Sequence, residues 1–287
     1  MPNKVQERKP SGYTLLGVMG DPIAHSKSPA MHQIALQETG LQGSYVPLHV
    51  SPEGLDAAVR GIKAMGFRGV NVTIPHKVEI MAFMDELDDS AKLIGAVNTV
   101  VHEEDGRLIG YNTDGIGYVR SLKEEAVSSI EGKHIVVIGA GGAARGIVYA
   151  LLLESPASVT ILNRTVERAE MIASDFKSMG QVQGLATGDS QQVLLRSDIV
   201  INTTSVGMHP NLHETPIDPA DLPEGIVVSD LIYNPLETKL LSIAKEKNCV
   251  IHGGLGMFVY QGAIAFEHWF GIPAPVNAMR RAVLQSF

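Results

Sequence analysis

The stretch that decides the fold is His134-Ile-Val-Val-Ile-Gly-Ala-Gly-Gly-Ala-Ala-Arg145. Ile135 to Ile138 has no polar face, as a parallel strand covered on both sides requires. Gly139, Ala140, Gly141, Gly142 and Ala143 then turn the chain into an apolar helical pattern that runs to Leu153. Gly139 permits the tight turn, Gly141 lets backbone N–H groups approach a pyrophosphate, and the helix start adds a dipole favourable to anions. Ala144 stands at the third glycine position, which the fingerprint allows. A strand-to-helix turn with no ligand remains the open alternative for this segment taken alone.

Downstream, Ala157–Leu162, Ile199–Asn202 and Val227–Leu231 repeat the short Val/Ile-rich run. Helical segments at Val166–Lys177 and Glu237–Glu246 lie among them. Repeated strand–helix–strand units predict a doubly wound parallel sheet of the Rossmann type. Upstream, Thr14–Met19, Tyr45–Val50 and Gly69–Ile74 read as strands, and Pro29–Thr39 and Leu55–Ala64 as helices. Ser28 is the expected N-cap of the first helix, with Pro29 at its first position. Pro75 is expected to open another helix, and Val97–Glu103 with Arg107–Tyr111 to form a hairpin around Glu104–Gly106. The expectation is an α/β chain with an N-terminal α/β domain, residues 1–113, completed by helices at 254–287. A dinucleotide-binding domain then fills 114–253.

The second strand of the downstream series ends Leu162-Asn163-Arg-Thr165, and Asn163 lies 24 residues beyond Gly139. An NAD enzyme carries an acid about there, ~20 residues on, to hold the ribose 2′-hydroxyl. This tip offers Asn163, Arg164, Thr165 and then Arg168, a set suited to a 2′-phosphate and hence to NADP. Thr165 is also expected to cap the helix that follows, and the arginines by themselves are compatible with a solvated face.

Three polar segments at element ends draw attention in the N-terminal half. His25-Ser-Lys-Ser-Pro29 opens a helix, where Ser26 and Ser28 offer hydroxyls to a carboxylate or simply cap. Asn71-Val-Thr-Ile-Pro-His-Lys77 places Lys77 in the first turn of the helix expected at Pro75. There the dipole disfavours a cation and would lower its pKa, while a nearby carboxylate would oppose the shift. Gly110-Tyr-Asn-Thr-Asp-Gly115 begins another helix, with Asp114 as an acid at a domain junction or an N-cap. Asn98 is polar inside an apolar run and needs a partner. No His/Cys cluster has metal-ligand spacing, so no metal is assigned.

Composition narrows the classes. A net charge of −8 argues against non-specific nucleic-acid binding. The single cysteine, Cys249, forms no internal disulfide. Residues 1–13 are polar and lack an apolar signal core, so they read as a frayed leader. Gly139, Gly141, Gly142 and Arg145 interrupt the most apolar stretch, which does not read as a membrane span. The expected setting is the cytoplasm.

Taken together, the segments resemble the shikimate dehydrogenase family, within the wider shikimate/quinate dehydrogenases. The carriers are His25-Ser-x-Ser-Pro-x-Met-His32, Asn71-Val-Thr-Ile-Pro-x-Lys77, Gly95-Ala-Val-Asn-Thr99 and Tyr111-Asn-Thr-Asp-Gly-x-Gly117. They continue with Gly139-Ala-Gly-Gly-Ala-x-Arg145, Asn163-Arg-Thr165, Asn202-Thr-Thr-Ser-x-Gly-Met208, Tyr233-x-Pro235 and Gly256-Met-x-x-x-Gln-Gly262. The resemblance implies reversible, NADP-dependent reduction of 3-dehydroshikimate to shikimate, in aromatic amino-acid biosynthesis. It implies Lys77 and Asp114 as the catalytic pair, with Ser26, Ser28, Thr73, Asn98, Tyr233 and Gln261 holding the substrate. It implies cofactor contacts from Gly139 to Ala143, Arg145, Asn163, Arg164, Thr165 and Arg168. Further cofactor contacts are implied at Thr203, Thr204, Ser205, Met208, Leu231, Gly254 and Met257. Its implied partners are small molecules only, with no nucleic acid or membrane, and the state a monomer or homodimer. Two rivals stand beside it: an enzyme that takes quinate or NAD, and a non-catalytic protein that senses NADPH.

Overall fold

A computed structural model describes residues 12–287, so most of the polar opening segment lies outside the described residues. The chain forms two compact units. One comprises the residues through Thr113 together with Val259–Phe287, and the other is Asp114–Phe258.

The first unit is built on six strands: β1 (Thr14–Gly20), β2 (Gly43–His49), β3 (Phe67–Val72), β4 (Glu86–Leu87), β5 (Thr99–His102) and β6 (Leu108–Tyr111). Their order is β2-β1-β3-β5-β6-β4. β1 runs parallel to β2 and β3, β3–β5 and β5–β6 are antiparallel, and β4 pairs parallel with β6. β5 and β6 are the expected hairpin. Helix Leu55–Ala64 presents Leu55, Val59 and Ile62, spaced four and three apart, to Met19, Val70 and Val100 of the sheet. Helix Ser28–Glu38 packs on β2 and on the late helix Val276–Leu284. Trp269, from the far end of the chain, is fully buried and donates through Nε1 to the Val100 carbonyl at 3.0 Å.

Helix Ser28–Glu38 also buries His32 completely. Its ring stacks on Tyr45 at 4.4 Å and lies 5.2 Å from the Trp269 ring. Burial strips solvent from the charged form and lowers the pKa from 6.5 to about 3. Between those values the unfolded chain binds the proton and the native one does not. Stability from this residue is therefore complete above pH ~6.5 and falls as acid is added, by ~2 kcal/mol at pH 5. Urea unfolding of His32→Phe and the parent should show the parent's disadvantage growing, or its advantage shrinking, by about that amount from pH 7 to 5. A difference independent of pH would refute the assignment.

The second unit is a wholly parallel sheet of β7 (His134–Ile138), β8 (Ser158–Asn163), β9 (Val182–Ala186), β10 (Ile199–Asn202), β11 (Val227–Asp230) and β12 (Val250–His252). The order β12-β11-β10-β7-β8-β9 is that of the dinucleotide-binding doubly wound fold. Its core takes Val136, Ile138, Leu162, Val200 and Val228 from the sheet and Leu240, Leu241 and Ala244 from helix Lys239–Glu246. The chain leaves the sheet centre in opposite directions from β7 and β10, which opens a crevice at their carboxyl ends. Among the described residues, no helix is long and apolar enough to cross a membrane.

Candidate active site

Gly139 ends β7 at φ +108°, a conformation that side chains rarely adopt. A Cβ there would also meet Thr203 Oγ1 at 2.6 Å. The turn leads through Ala140 to Gly141, the N-cap of helix Gly142–Leu152, where no side chain caps the first turn. Nothing lies within 4 Å of where a Cβ would stand at Gly141 or Gly142, so the turn is open on that side. Uncapped N–H groups on an open glycine turn suit a pyrophosphate.

A cavity of about 760 Å³ begins at Gly139 and extends over the tip of β8. It brings together Gly139, Asn163, Arg164, Thr165, Arg168 and Thr204. Thr187 and the loop His213–Pro216 complete its wall. The sequence reading missed that loop. A signal was present, because the chain from Thr203 to Ile226 is far longer than an ordinary connection, and such loops are commonly functional.

One local expectation needs correction here. Thr165 holds the N-cap position of helix Val166–Phe176, yet its side chain makes no capping bond. Asn163 instead donates to the Thr165 carbonyl at 2.8 Å, which shapes the tip. Arg145 does not line the cavity. It is ion-paired with Asp175 and lies over the Phe176 ring.

The tips of β10 and β11 are fixed by a buried carboxylate that the sequence reading did not single out. Asp230 is fully buried and accepts from Asn202 Nδ2 at 3.1 Å, the Ile232 N–H at 3.0 Å and Thr238 Oγ1 at 2.8 Å. Burial raises its pKa, and these three donors hold it down. Asn202 Oδ1 in turn takes the Thr204 N–H and hydroxyl, and Thr203 Oγ1 donates to the Ile138 carbonyl. Thr203, Thr204, Ser205 and Met208 thus follow directly from a braced strand end, with the Met208 N–H bonded to the Ser205 carbonyl. Leu231 N–H bonds to Asn202 O, and Gly254 N–H to Ile232 O. Tyr233 stacks on Phe258 at 5.1 Å, and burial raises its pKa. Met257 adjoins that ring in sequence.

In the first unit, the predicted substrate-side residues gather where β1 and β3 end. The Thr73 N–H bonds to the Met19 carbonyl, and Asp21 N–H to Ile74 O, so the two strand ends stay joined. Lys77 O receives the Val97 N–H at 2.7 Å, which sets Lys77 next to the Asn98 segment. Asn98 is 2% exposed and finds the partner it needs in Thr113, whose N–H it accepts at 2.9 Å. Thr113 Oγ1 donates to the Gln261 carbonyl at 3.0 Å, bringing Gln261 to the same group. Asp114 follows directly and begins helix Asp114–Glu125 of the second unit.

Two expectations fail on this side. The N-cap position of helix Ser28–Glu38 is Lys27, and no side chain caps it. The Ser28 N–H is taken by Ser26 Oγ at 3.3 Å, and Ser28 itself is buried as the first helical residue. Pro75 opens no α-helix. Residues 74–78 form a turn, and only a 3₁₀ segment, Glu79–Phe83, follows. The backbone there is claimed by tertiary partners: the Lys77 carbonyl by Val97, and the His76 ring by Val50 O at 2.7 Å. Lys77 therefore stands on a turn, and the helix-dipole argument for its behaviour does not hold.

Three family models cover most of the chain. They are the shikimate dehydrogenase substrate binding domain over residues 18–100, shikimate/quinate 5-dehydrogenase over 121–223, and the shikimate 5′-dehydrogenase C-terminal domain over 254–284. A shikimate dehydrogenase (NADP(+)) of Geobacillus sp. strain WCH70 is 48% identical over 271 residues, 94% of this chain and 98% of that one. A crystal structure of a shikimate dehydrogenase in complex with NADP+ is 43% identical with a TM-score of 0.88, over 95% of each chain. The Listeria monocytogenes shikimate 5-dehydrogenase, in complex with shikimate and NAD, is 38% identical with a TM-score of 0.90, over 97% of this chain and 99% of that one. By its domain models and by identity along nearly its whole length, this chain belongs to the shikimate dehydrogenase family.

Proposed function

We propose that this chain is an NADP-dependent shikimate dehydrogenase that reversibly reduces 3-dehydroshikimate to shikimate in aromatic amino-acid biosynthesis. The observation that carries the cofactor is the cavity over β8, where Arg164 and Arg168 line the wall and Asn163 stands where an NAD enzyme has an acid. Gly139, Gly141 and Gly142 fit a pyrophosphate, and Arg164, Thr165 and Arg168 fit a 2′-phosphate. When bound, NADPH supplies the hydride.

The chain's own residues hold the substrate and manage the proton. Ser26, Ser28, Thr73, Asn98, Gln261 and Tyr233 orient the carboxylate and hydroxyls. Lys77 delivers a proton to the oxygen that becomes the hydroxyl, and Asp114 positions Lys77 and the substrate. The gathering of Thr73, Lys77, Asn98 and Gln261 in one unit, by backbone bonds and through Thr113, supports this assignment. Small molecules are its partners, and a cytoplasmic setting suits a chain whose single cysteine forms no internal disulfide.

Steady-state assays should compare shikimate and quinate with NADP and NAD, four pairs in all. Shikimate with NADP should give the highest kcat/KM. No turnover with any pair would favour a sensor, and a preference for NAD would overturn the cofactor reading.

A further inference from the structure

Five side chains of the second unit form a single file of hydrogen bonds that none of the roles above uses. Tyr118 OH donates to Ser229 Oγ at 2.9 Å. Ser229 Oγ lies 2.8 Å from His252 Nδ1, and His252 Nε2 lies 2.7 Å from Ser121 Oγ. Ser121 Oγ donates to Glu125 Oε1 at 3.3 Å. Tyr118, Ser121, Ser229 and His252 are all buried.

Every link requires a proton on His252 Nε2, which also lies 4.0 Å from Glu125 Oε2. Ser121 gives its hydrogen to Glu125, so it accepts from His252, which must carry its proton on Nε2. A bare Nδ1 accepts from the Ser229 hydroxyl and a protonated one donates to its oxygen, and in both cases that oxygen accepts from Tyr118. From His252 to Glu125 the donors therefore run one way, through Nε2–H and the Ser121 hydroxyl. Buried polar groups that are fully satisfied in this manner rigidify what they join.

What they join is specific. Tyr118 and Ser121 lie four and seven residues after Asp114, on the same stripe of helix Asp114–Glu125. Ser229 precedes the Asp230 brace on β11, and His252 ends β12 two residues before Gly254. Gly256 is seated directly on the file: a Cβ there would lie 1.9 Å from Ser121 Oγ and 2.6 Å from Glu125 Oε1. One imidazole thus ties the helix that Asp114 begins to the end of β12, two residues before Gly254 opens helix Gly254–Phe270.

We propose that His252 is a positioning residue for the reaction, fixing the Asp114 helix against Gly254–Met257, the start of helix Gly254–Phe270, through Ser121 and Ser229. The proposal rests on the reading of Asp114, Gly254 and Met257 given above. A misplacement of about 1 Å at a distance from the chemistry can cost on the order of 100-fold in rate. His252→Leu should therefore lower kcat for shikimate oxidation by about 10–100-fold. The KM for shikimate and the ratio of NADP to NAD preference should stay within about twofold, since Arg164 and Arg168 lie elsewhere in the unit. Ser121→Ala and Ser229→Ala, which each remove one link, should give smaller losses of kcat in the same direction.

Asp114→Asn is measured in parallel on the full chain. If it keeps the parent kcat, the Asp114 reading fails and this proposal fails with it. If it slows turnover while folded His252 and serine variants keep the parent kcat per active site, only the positioning role is overturned. Nitrogen-15 spectra of the parent enzyme near neutral pH provide a readout that needs no variant. A proton on His252 Nε2 supports the file, and a ring protonated on Nδ1 alone overturns it.

Discussion

Lys77→Ala should lower kcat for shikimate oxidation by ~10²–10⁴, with the affinity for NADP little changed. Hydride addition to a carbonyl carbon leaves an alkoxide, and that oxygen must gain a proton from a donor within hydrogen-bond reach. The Lys77 carbonyl takes the Val97 N–H, which sets the residue beside Asn98 on the turn after Thr73. Asp114→Asn should also slow turnover, with an added rise in the KM for shikimate if its carboxylate contacts a hydroxyl. The double variant should lose less than the product of the two single losses, because the pair acts as a unit. Single-turnover kinetics on the purified variants would check this. A folded Lys77→Ala enzyme with near-parent kcat would mean that water or another residue supplies the proton.

The second large effect is on the choice of nicotinamide. Replacing both Arg164 and Arg168 with alanine should raise the KM for NADP on the order of 100-fold, with that for NAD nearly unchanged. Both residues line the cavity over β8, and charge-assisted bonds to a 2′-phosphate are among the stronger polar contacts. Glu214 and His213 line the same cavity from the opposite loop. Equal losses with the two cofactors would mark the arginines as surface charges only.

The central strands of both sheets were legible because burial on both faces leaves an unmistakable apolar run. β7, β8 and β10 fall within a residue or so of the segments read from Ile135–Ile138, Ala157–Leu162 and Ile199–Asn202. Of the edge strands, β2 was read as Tyr45–Val50, but β4, β9 and β12 were not legible. β9 reads Val-Gln-Gly-Leu-Ala and is largely half-exposed, so it needs no continuous apolar run, and β12 has only three residues. Local rules failed where tertiary bonds outbid them: Pro75 signals a helix, but Val97 and Val50 take up the groups around it. The glycine turn and the residues of β8's tip could be found from their types and spacing. Asp230 and the His213–Pro216 loop could not be placed so easily, because their importance comes from what folds onto them.

The first unit is not continuous in the chain: Trp269 and helix Val276–Leu284 join residues that precede Thr113. On a ribosome, that order matters. The strands β1 to β6 emerge early, yet the tryptophan that bonds Val100 is synthesised only after the whole of Asp114–Phe258. At ~5–20 residues per second the wait is roughly 7–30 s, long compared with the folding of most small domains. The parallel sheet, being contiguous, can close as soon as it leaves the exit tunnel. The nascent mixed sheet must meanwhile keep the surface meant for Trp269 uncovered until residue 269 has been made.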